Sequence, residues 1–317
     1  MPTVSIVIPT YNRVHLLGRT LRAALGQDGV DLEVVVVDDG SSDGILEAIT
    51  AADDGRIRLL RNPAPTGVSA ARNRGISAAS GDWIAFLDDD DLWAPDKLVS
   101  QLTAAERAGA RWAYAGDVNI NDRLQVLSGA PPPDPETVLA LLPRLNPLGS
   151  GGSNVVVRSE LLRAVGGFDP SLNRTEDWDL WIRLGRAGVP AWVPRPLVAY
   201  RFHSGNVAAD PDGMVDEPRR LADRYAIPVD LAAMHRRAAW TALRAGRRGL
   251  AVRYYAGAVV RGDLLSVGRA AIGLVHPAVG TDRLFGLLRR DPDWVAAAKR
   301  WLTAFTADAP AREQSAP

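Results

Sequence analysis

Apolar positions along the chain follow two rhythms, continuous short runs and a spacing of three to four. Val4-Ser-Ile-Val-Ile8 is a short β-branched run closed by Pro9, which reads as a strand buried on both faces of a parallel sheet. Leu17, Leu21 and Leu25 recur at helical spacing and predict a helix over 14–26. Leu32 to Val37 repeats the strand pattern and ends in Asp38-Asp39-Gly40-Ser41-Ser42-Asp43-Gly44, after which a helix is expected over 45–52. A third strand over 57–60, a loop over 62–67, a helix over 69–79 and a strand over 83–87 follow, the last running straight into Asp88-Asp89-Asp90-Asp91. Strand and helix alternating through short turns predict an α/β domain with a mainly parallel sheet. Ligands of such sheets bind beyond the carboxyl ends of the strands. The polar clusters of this chain fall at those ends.

Residues 128–153 break the rhythm with Pro131-Pro132-Pro133, Pro135 and Gly149-Ser-Gly-Gly152, and read as a long excursion with a flexible exit, of the kind that serves as a lid. A strand over 154–157 and a helix over 159–165, stopped by Gly166-Gly167, come next. From 216 to 305 the chain is rich in Ala, Leu and Arg at helical spacing without a strand pattern. A boundary near residue 208 therefore separates an α/β domain over 1–208 from a helical region over 209–317.

Composition narrows the choice. With 47% hydrophobic and 23% charged residues the chain is an ordinary globular one, too apolar to stay disordered. The absence of cysteine excludes disulfide frameworks, iron–sulfur clusters and thiol nucleophiles. The apolar stretch over 270–281 is too short for a spanning helix, and Val4 opens a strand with no signal-peptide pattern before it, so the expected compartment is the cytoplasm. The net charge of zero conceals two unlike regions. Residues 1–218 carry 20 basic and 29 acidic groups, and residues 219–301 carry 16 and 6, which excludes a uniformly basic nucleic-acid binder but leaves a basic C-terminal surface.

The acidic clusters carry the chemistry. Four adjacent carboxylates at 88–91 repel one another unless a cation or firm hydrogen bonds neutralise them. On an extended backbone Asp88 and Asp90 point one way and Asp89 the other, and two carboxylates on one side suit Mg2+ or Mn2+ together with phosphate oxygens. The plainer alternative is a solvated turn with Asp91 capping the next helix. Thr175-Glu176-Asp177-Trp178-Asp179 opens a helix expected to run to Arg186, where carboxylates also complement the helix dipole. Asp38 and Asp39 precede Gly40, a place for close backbone approach to a ligand or for a simple Asx turn.

In their order, Val4-Ser-Ile-Val-Ile-Pro-Thr-Tyr-Asn12, Val35-Val-Val-Asp-Asp-Gly-Ser-Ser-Asp43, Gly67-Val-Ser-Ala-Ala-Arg-Asn73, Gly81-Asp-Trp-Ile-Ala-Phe-Leu-Asp-Asp-Asp-Asp91, Val165-Gly-Gly-Phe-Asp169 and Glu176-Asp177-Trp178 resemble the inverting glycosyltransferases of family 2, over about residues 3–206. The resemblance implies a GT-A fold, a nucleoside diphosphate sugar donor with UDP or dTDP favoured, and a hydroxyl acceptor on a saccharide, a lipid-linked saccharide or a small molecule. It assigns Pro9, Thr10, Tyr11 and Asp39 to the base, Arg72 to the nucleotide or its phosphates and Asp89 to the ribose. Asp88 and Asp90 would hold a divalent metal, Mn2+ or Mg2+, with His203 as a third ligand or as a plain loop histidine. Asp177 would be the catalytic base, with Glu176 and Trp178 shaping the acceptor pocket. The Gln-x-x-Arg-Trp motif and membrane helices of the processive synthases are absent from the sequence, which favours transfer of a single sugar. A nucleotidyltransferase would need a glycine-rich loop after the first strand, where Pro9-Thr-Tyr-Asn12 stands instead. A catalytically silent nucleotide-sugar binding module is the other rival, disfavoured by the retained carboxylates.

The resemblance says little of residues 219–301. Arginine pairs at 219–220, 236–237, 247–248 and 289–290 are interleaved with Trp240, Tyr254, Tyr255, Phe285, Trp294 and Trp301. Such helices either lie on an anionic membrane surface or pack on the acidic domain or a second subunit.

Overall fold

The computed structural model describes residues 3–203, 211–275 and 291–306. One nine-stranded sheet organises them, in the order β3-β2-β1-β4-β8-β6-β9-β5, with β7 paired to β6 alone. Strands β1 (Thr3–Thr10), β2 (Asp31–Asp38), β3 (Ile57–Arg61) and β4 (Trp83–Phe86) pair in parallel, joined by α1 (Val14–Leu25), α2 (Ile45–Ala52) and α3 (Val68–Ala78). The continuous apolar run of β1 has its reason here. Val4, Ile6 and Ile8 enter the core on one face of the sheet and Val7 the core on the other.

The second half of the sheet is mixed. It contains β5 (Leu92–Trp93), β6 (Trp112–Ile120), β7 (Val126–Ala130), β8 (Val156–Arg158) and β9 (Ala191–Arg201); β8 is antiparallel to β4 and β6, while β6 and β9 are parallel. Neither β6 nor β9 stands out in the hydrophobic pattern. β9 contains Pro194 and Pro196, and the ladder shifts register around Gly116, so a strand tolerates prolines there that would bar a regular ladder. Helices α4 (Lys97–Ala108), α5 (Pro135–Leu141), α6 (Ser159–Ala164) and α7 (Glu176–Ala187) complete the two outer layers.

The expected flexible exit of the 128–153 excursion is a buried 3₁₀ turn, Gly151–Asn154. Ser153 and Asn154 are buried, and Asn154 joins β6 through the N–H of Ala115 at 2.7 Å. The glycines permit this packing rather than motion: a Cβ on Gly149 would fall on the Asp117 carboxylate.

The boundary near residue 208 lies outside the described residues. Beyond it come α8 (Asp216–Tyr225), α9 (Leu231–Arg244), α10 (Arg248–Val260), α11 (Leu265–Val275) and α12 (Pro292–Thr306). Leu221 of α8 joins the core under α7, and Trp294, Ala298, Leu302 and Phe305 of α12 join the core on the opposite face of the sheet. A Cβ on Gly116 would fall inside the Trp294 ring, so that strand glycine makes room for the helix. Helices α9 and α10 share a separate small core around Ala239, Leu243 and Tyr255. Among the described residues no helix is long and apolar enough to cross a membrane.

Candidate active site

The four aspartates do not form an extended segment. β4 ends at Phe86, and the Asp91 N–H donates to the Asp88 carbonyl at 3.1 Å, closing a tight turn. The side-chain alternation expected for a strand is therefore lost. Asp89 and Asp90 both accept from Arg13 Nη1, at 3.2 and 2.9 Å, while Asp88 accepts from Arg72 at 2.5 Å. His203 Nε2 stands 2.8 Å from Asp90 Oδ2. Asp91 turns inward to accept from the Ser153 hydroxyl at 2.6 Å and the Arg201 N–H at 3.0 Å, so it does not cap the next helix. Burial, reinforced by the neighbouring Asp90 charge, raises the Asp91 carboxyl well above the usual range. The same two causes push Asp89 up to about 7, against the pull of Arg13. Arg13, at the start of α1, was not legible as a site residue. Only its place between a strand end and a helix marks it, and many arginines share that.

The second acidic cluster is built differently. Asp177 lies in the first turn of α7 and accepts from Asn146 Nδ2 at 3.0 Å and from the Trp178 N–H at 2.6 Å. Among the described residues no cationic side chain is bonded to it. Burial, then the Glu176 charge, pushes its carboxyl up to about 7. Glu176 itself accepts from Arg72 Nη1 at 3.0 Å, so the fully buried Arg72 guanidinium bridges Asp88 and Glu176 beneath the site, stacked over the Phe168 ring at 5.0 Å. Trp178, expected in the acceptor pocket, is instead a core residue. It is buried against the sheet, and its indole N–H donates to the Leu142 carbonyl at 2.8 Å.

Between the two clusters runs the 149–154 turn. A Cβ on Gly151 would sit 3.6 Å from Asp177 Oδ2 and 4.0 Å from Asp88 Oδ2, so the missing side chain leaves a gap that both carboxylates face. Ser150 holds the turn to Asp117 at 2.6 Å and Ser153 holds it to the aspartate turn. The loop entering α7 is fixed from α8. The buried Glu217 carboxylate accepts from the N–H groups of Asn173, Arg174 and Thr175 at 3.2, 2.9 and 3.1 Å. Neither Gly151 nor Glu217 is legible as a site residue in the sequence. A glycine without its neighbours and an acid in a polar helix carry no signal of their own.

Pro9, Thr10 and Tyr11 lie at the carboxyl end of β1 beside that of β2, with the Tyr11 ring 48% exposed. Asp39 ties the adjacent loop together, accepting from Asn62 Nδ2 at 2.6 Å, the Thr66 hydroxyl at 2.7 Å and the Gly67 N–H at 2.8 Å. Burial works against its ionisation, but these bonds hold its carboxyl below the usual carboxylate range. Gly40 has φ +87°, and a Cβ there would lie 3.0–3.1 Å from the Ala64–Pro65 backbone, so only glycine serves at this crossing. The structure thus gathers Pro9–Tyr11, Asp39, Asp88–Asp90, Arg72, Asp177, Glu176 and His203 around the carboxyl edge of β1, β2 and β4, and leaves Trp178 in the core behind it.

The donor set suits a hard divalent cation. Asp90 and His203 present adjacent oxygen and nitrogen donors, and no described residue hydrogen-bonds Asp88 Oδ2. Among the described residues no group of three His, Asp or Glu side chains is placed to hold a metal ion by itself. Mg2+ and Mn2+ sites that work on phosphates use one or two carboxylates and leave the other positions to the substrate and water.

Residues 5–164 match the family model described as glycosyl transferase family 2. The succinoglycan biosynthesis protein ExoO of Rhizobium meliloti is 40% identical over 163 residues, covering 50% of this chain and 45% of ExoO. The Escherichia coli protein WfgD, a UDP-Glc:alpha-D-GlcNAc-diphosphoundecaprenol beta-1,3-glucosyltransferase, is 32% identical over 181 residues, covering 57% of this chain and 69% of WfgD. The match thus spans less than half of ExoO and about two thirds of WfgD. Among solved structures, S. aureus TarS 1–349 in complex with UDP-GlcNAc superposes with a TM-score of 0.58 at 19% identity, over 76% of this chain and 72% of that one. The mannosyltransferase PcManGT from Pyrobaculum calidifontis, in complex with GDP-Man and Mn2+, does so with a TM-score of 0.56 at 20% identity, over 94% and 86%. These likenesses bear out the GT-A fold, and with the match over 5–164 they establish that this chain belongs to glycosyl transferase family 2.

Proposed function

We propose that the protein is a metal-dependent, inverting glycosyltransferase that moves one sugar from a nucleoside diphosphate sugar, UDP- or dTDP-linked, to a hydroxyl of a saccharide or lipid-linked saccharide. The observation that carries this reading is the pair of carboxylates facing the Gly151 gap: Asp177, bonded only to neutral donors, and Asp88, on the aspartate turn. A carboxyl group brought to about 7 takes a proton at neutral pH and still drives its transfer. The acceptor hydroxyl, held in the gap, gives its proton to Asp177 as its oxygen attacks the anomeric carbon. The bond to the diphosphate breaks on the opposite side, and the configuration inverts.

The remaining residues supply binding and orientation. Pro9, Thr10, Tyr11 and Asp39 line the base site, Asp89 serves the ribose, and Arg72 sets Asp88 and Glu176 relative to each other from below. Asp88, Asp90 and His203 would hold Mn2+ or Mg2+, which when bound would neutralise charge on the departing diphosphate. Arg13, bonded to Asp89 and Asp90, keeps the turn neutralised between turnovers. The donor class draws support from the UDP-sugar named for WfgD and the nucleotide sugars bound in the TarS and PcManGT structures.

The test is a donor screen. Purified protein incubated with UDP- and dTDP-sugars, a lipid-linked saccharide and Mn2+ is expected to release nucleoside diphosphate, and chelation by EDTA is expected to stop it. Nucleotide binding without release from any donor, with or without metal, would instead favour a silent binding module.

A further inference from the structure

The aromatic residues that gave the basic helices a membrane-seeking look are mostly spent inside the fold. Trp294 donates to the Asp117 carbonyl and Trp301 to the Pro196 carbonyl, both at the sheet, and Tyr255 is buried between α9 and α10. Phe285 lies outside the described residues. Among the described residues, exposed large apolar side chains are densest elsewhere, at the corner where α10 hands over to α11. There Val260 is 84% exposed, Leu264 71%, Leu265 72% and Val267 61%. Four large apolar side chains open to water within eight residues are a concentration that points to a partner.

Charge says which partner. Residues 231–275, covering α9 to α11, contain eight arginines (236, 237, 244, 247, 248, 253, 261 and 269) and one acid, Asp263. That acid is already shared by Arg236 and Arg269, and it also accepts from Ser266, which pins the corner in place. The corner is thus a fixed apolar tip on a strongly cationic three-helix unit. We propose that this tip is a peripheral membrane-docking element: Val260, Leu264, Leu265 and Val267 enter the headgroup and acyl boundary while the surrounding arginines face anionic lipid headgroups. An anionic bilayer satisfies both halves of the surface at once, the apolar projection and the excess of arginine over acid, even with Arg247 paired to Asp212 and Arg236 and Arg269 sharing Asp263. A spanning helix is not required, and none is present among the described residues.

Co-sedimentation of the full chain with vesicles tests this directly. Binding to phosphatidylglycerol/phosphatidylcholine vesicles is expected, with little binding to phosphatidylcholine alone and a steep loss as salt rises. The double variant Leu264→Asp/Leu265→Asp is expected to reduce the bound fraction at least about tenfold, since two leucines lose their burial and two negative charges face the lipid. Its melting temperature and its turnover of a free, non-lipid acceptor are expected to stay at the level of the unsubstituted protein, because both side chains are exposed and remote in sequence from the catalytic residues. Equal binding by the double variant, or no preference for anionic vesicles, overturns the proposal. So does light scattering that shows a dimer which the double variant dissociates, for then the patch is the interface of a second copy. Vesicle binding is read without any sugar transfer, so its outcome is independent of the catalytic reading.

Discussion

The two acidic clusters of this protein place one residue type in two different settings. At 88–91 each carboxylate meets a cation or firm donors: Arg13 on Asp89 and Asp90, Arg72 on Asp88, and Ser153 with the Arg201 N–H on Asp91. At 176–177 the cations stop at Glu176, and Asp177 has only an amide side chain and a backbone N–H. Burial raises Asp89 to about 7 and Asp91 well above the usual range as well. The clusters therefore differ in the partners of each carboxylate and not in acidity alone: one held by an arginine already has a cation beside it. One buried beside another acid and bonded to neutral groups gives up charge readily and suits proton transfer. The proposed division into ligand and base therefore rests on the neighbours that Arg72 serves and the one it omits.

Substitutions at these neighbours test the contrast. The largest effect is expected from Asp177→Asn, which keeps the side chain's shape and one of its two accepting oxygens but removes the base: transfer falls by about 10² to 10⁴-fold while donor affinity, read by calorimetry, is unchanged. Gly151→Ala places a methyl in the gap between Asp177 and Asp88 at a backbone with φ +47°, so transfer is expected to fall about 100-fold with nucleoside diphosphate binding retained. A variant that transfers sugar normally would show that the acceptor approaches from elsewhere. The smallest of the three is Glu217→Gln. Its amide cannot accept the three backbone N–H bonds as the carboxylate does, so the loop before Asp177 loosens and kcat drops about tenfold while the donor KM holds. Equal loss in kcat and in melting temperature would reduce Glu217 to a stability role.

How much of this was legible in the sequence follows the same physics. The parallel half of the fold could be read because its strands are buried on both faces and its helices show one apolar stripe, as in Val4–Ile8 and Leu17, Leu21 and Leu25. β6 and β9 could not, since prolines and a register shift blur their alternation. In the site, Asp88, Asp90, Asp177 and His203 announce themselves by residue type and motif. Arg13, Asn146, Gly151 and Glu217 act through positions fixed only when distant segments meet: Glu217 is more than forty residues from the loop it holds. The direction of each Asp in the turn is not legible for a related reason. Alternation belongs to strands, and the strand ends two residues before Asp88, at Phe86. The buried Trp178 and Trp294 show the converse, that a large aromatic beside a motif is spent on the core before it is available to a ligand.

The central claim, that Asp177 is a proton acceptor tuned by burial and by Glu176, is tested most directly by the pH dependence of transfer at saturating donor and limiting acceptor. Because the carboxyl is raised to about 7, the base is mostly protonated below that pH, and the rate is expected to rise about tenfold per pH unit up to the midpoint and level off above it. A rate that is flat from about pH 5 to 8, as for a carboxylate of ordinary acidity, would contradict it.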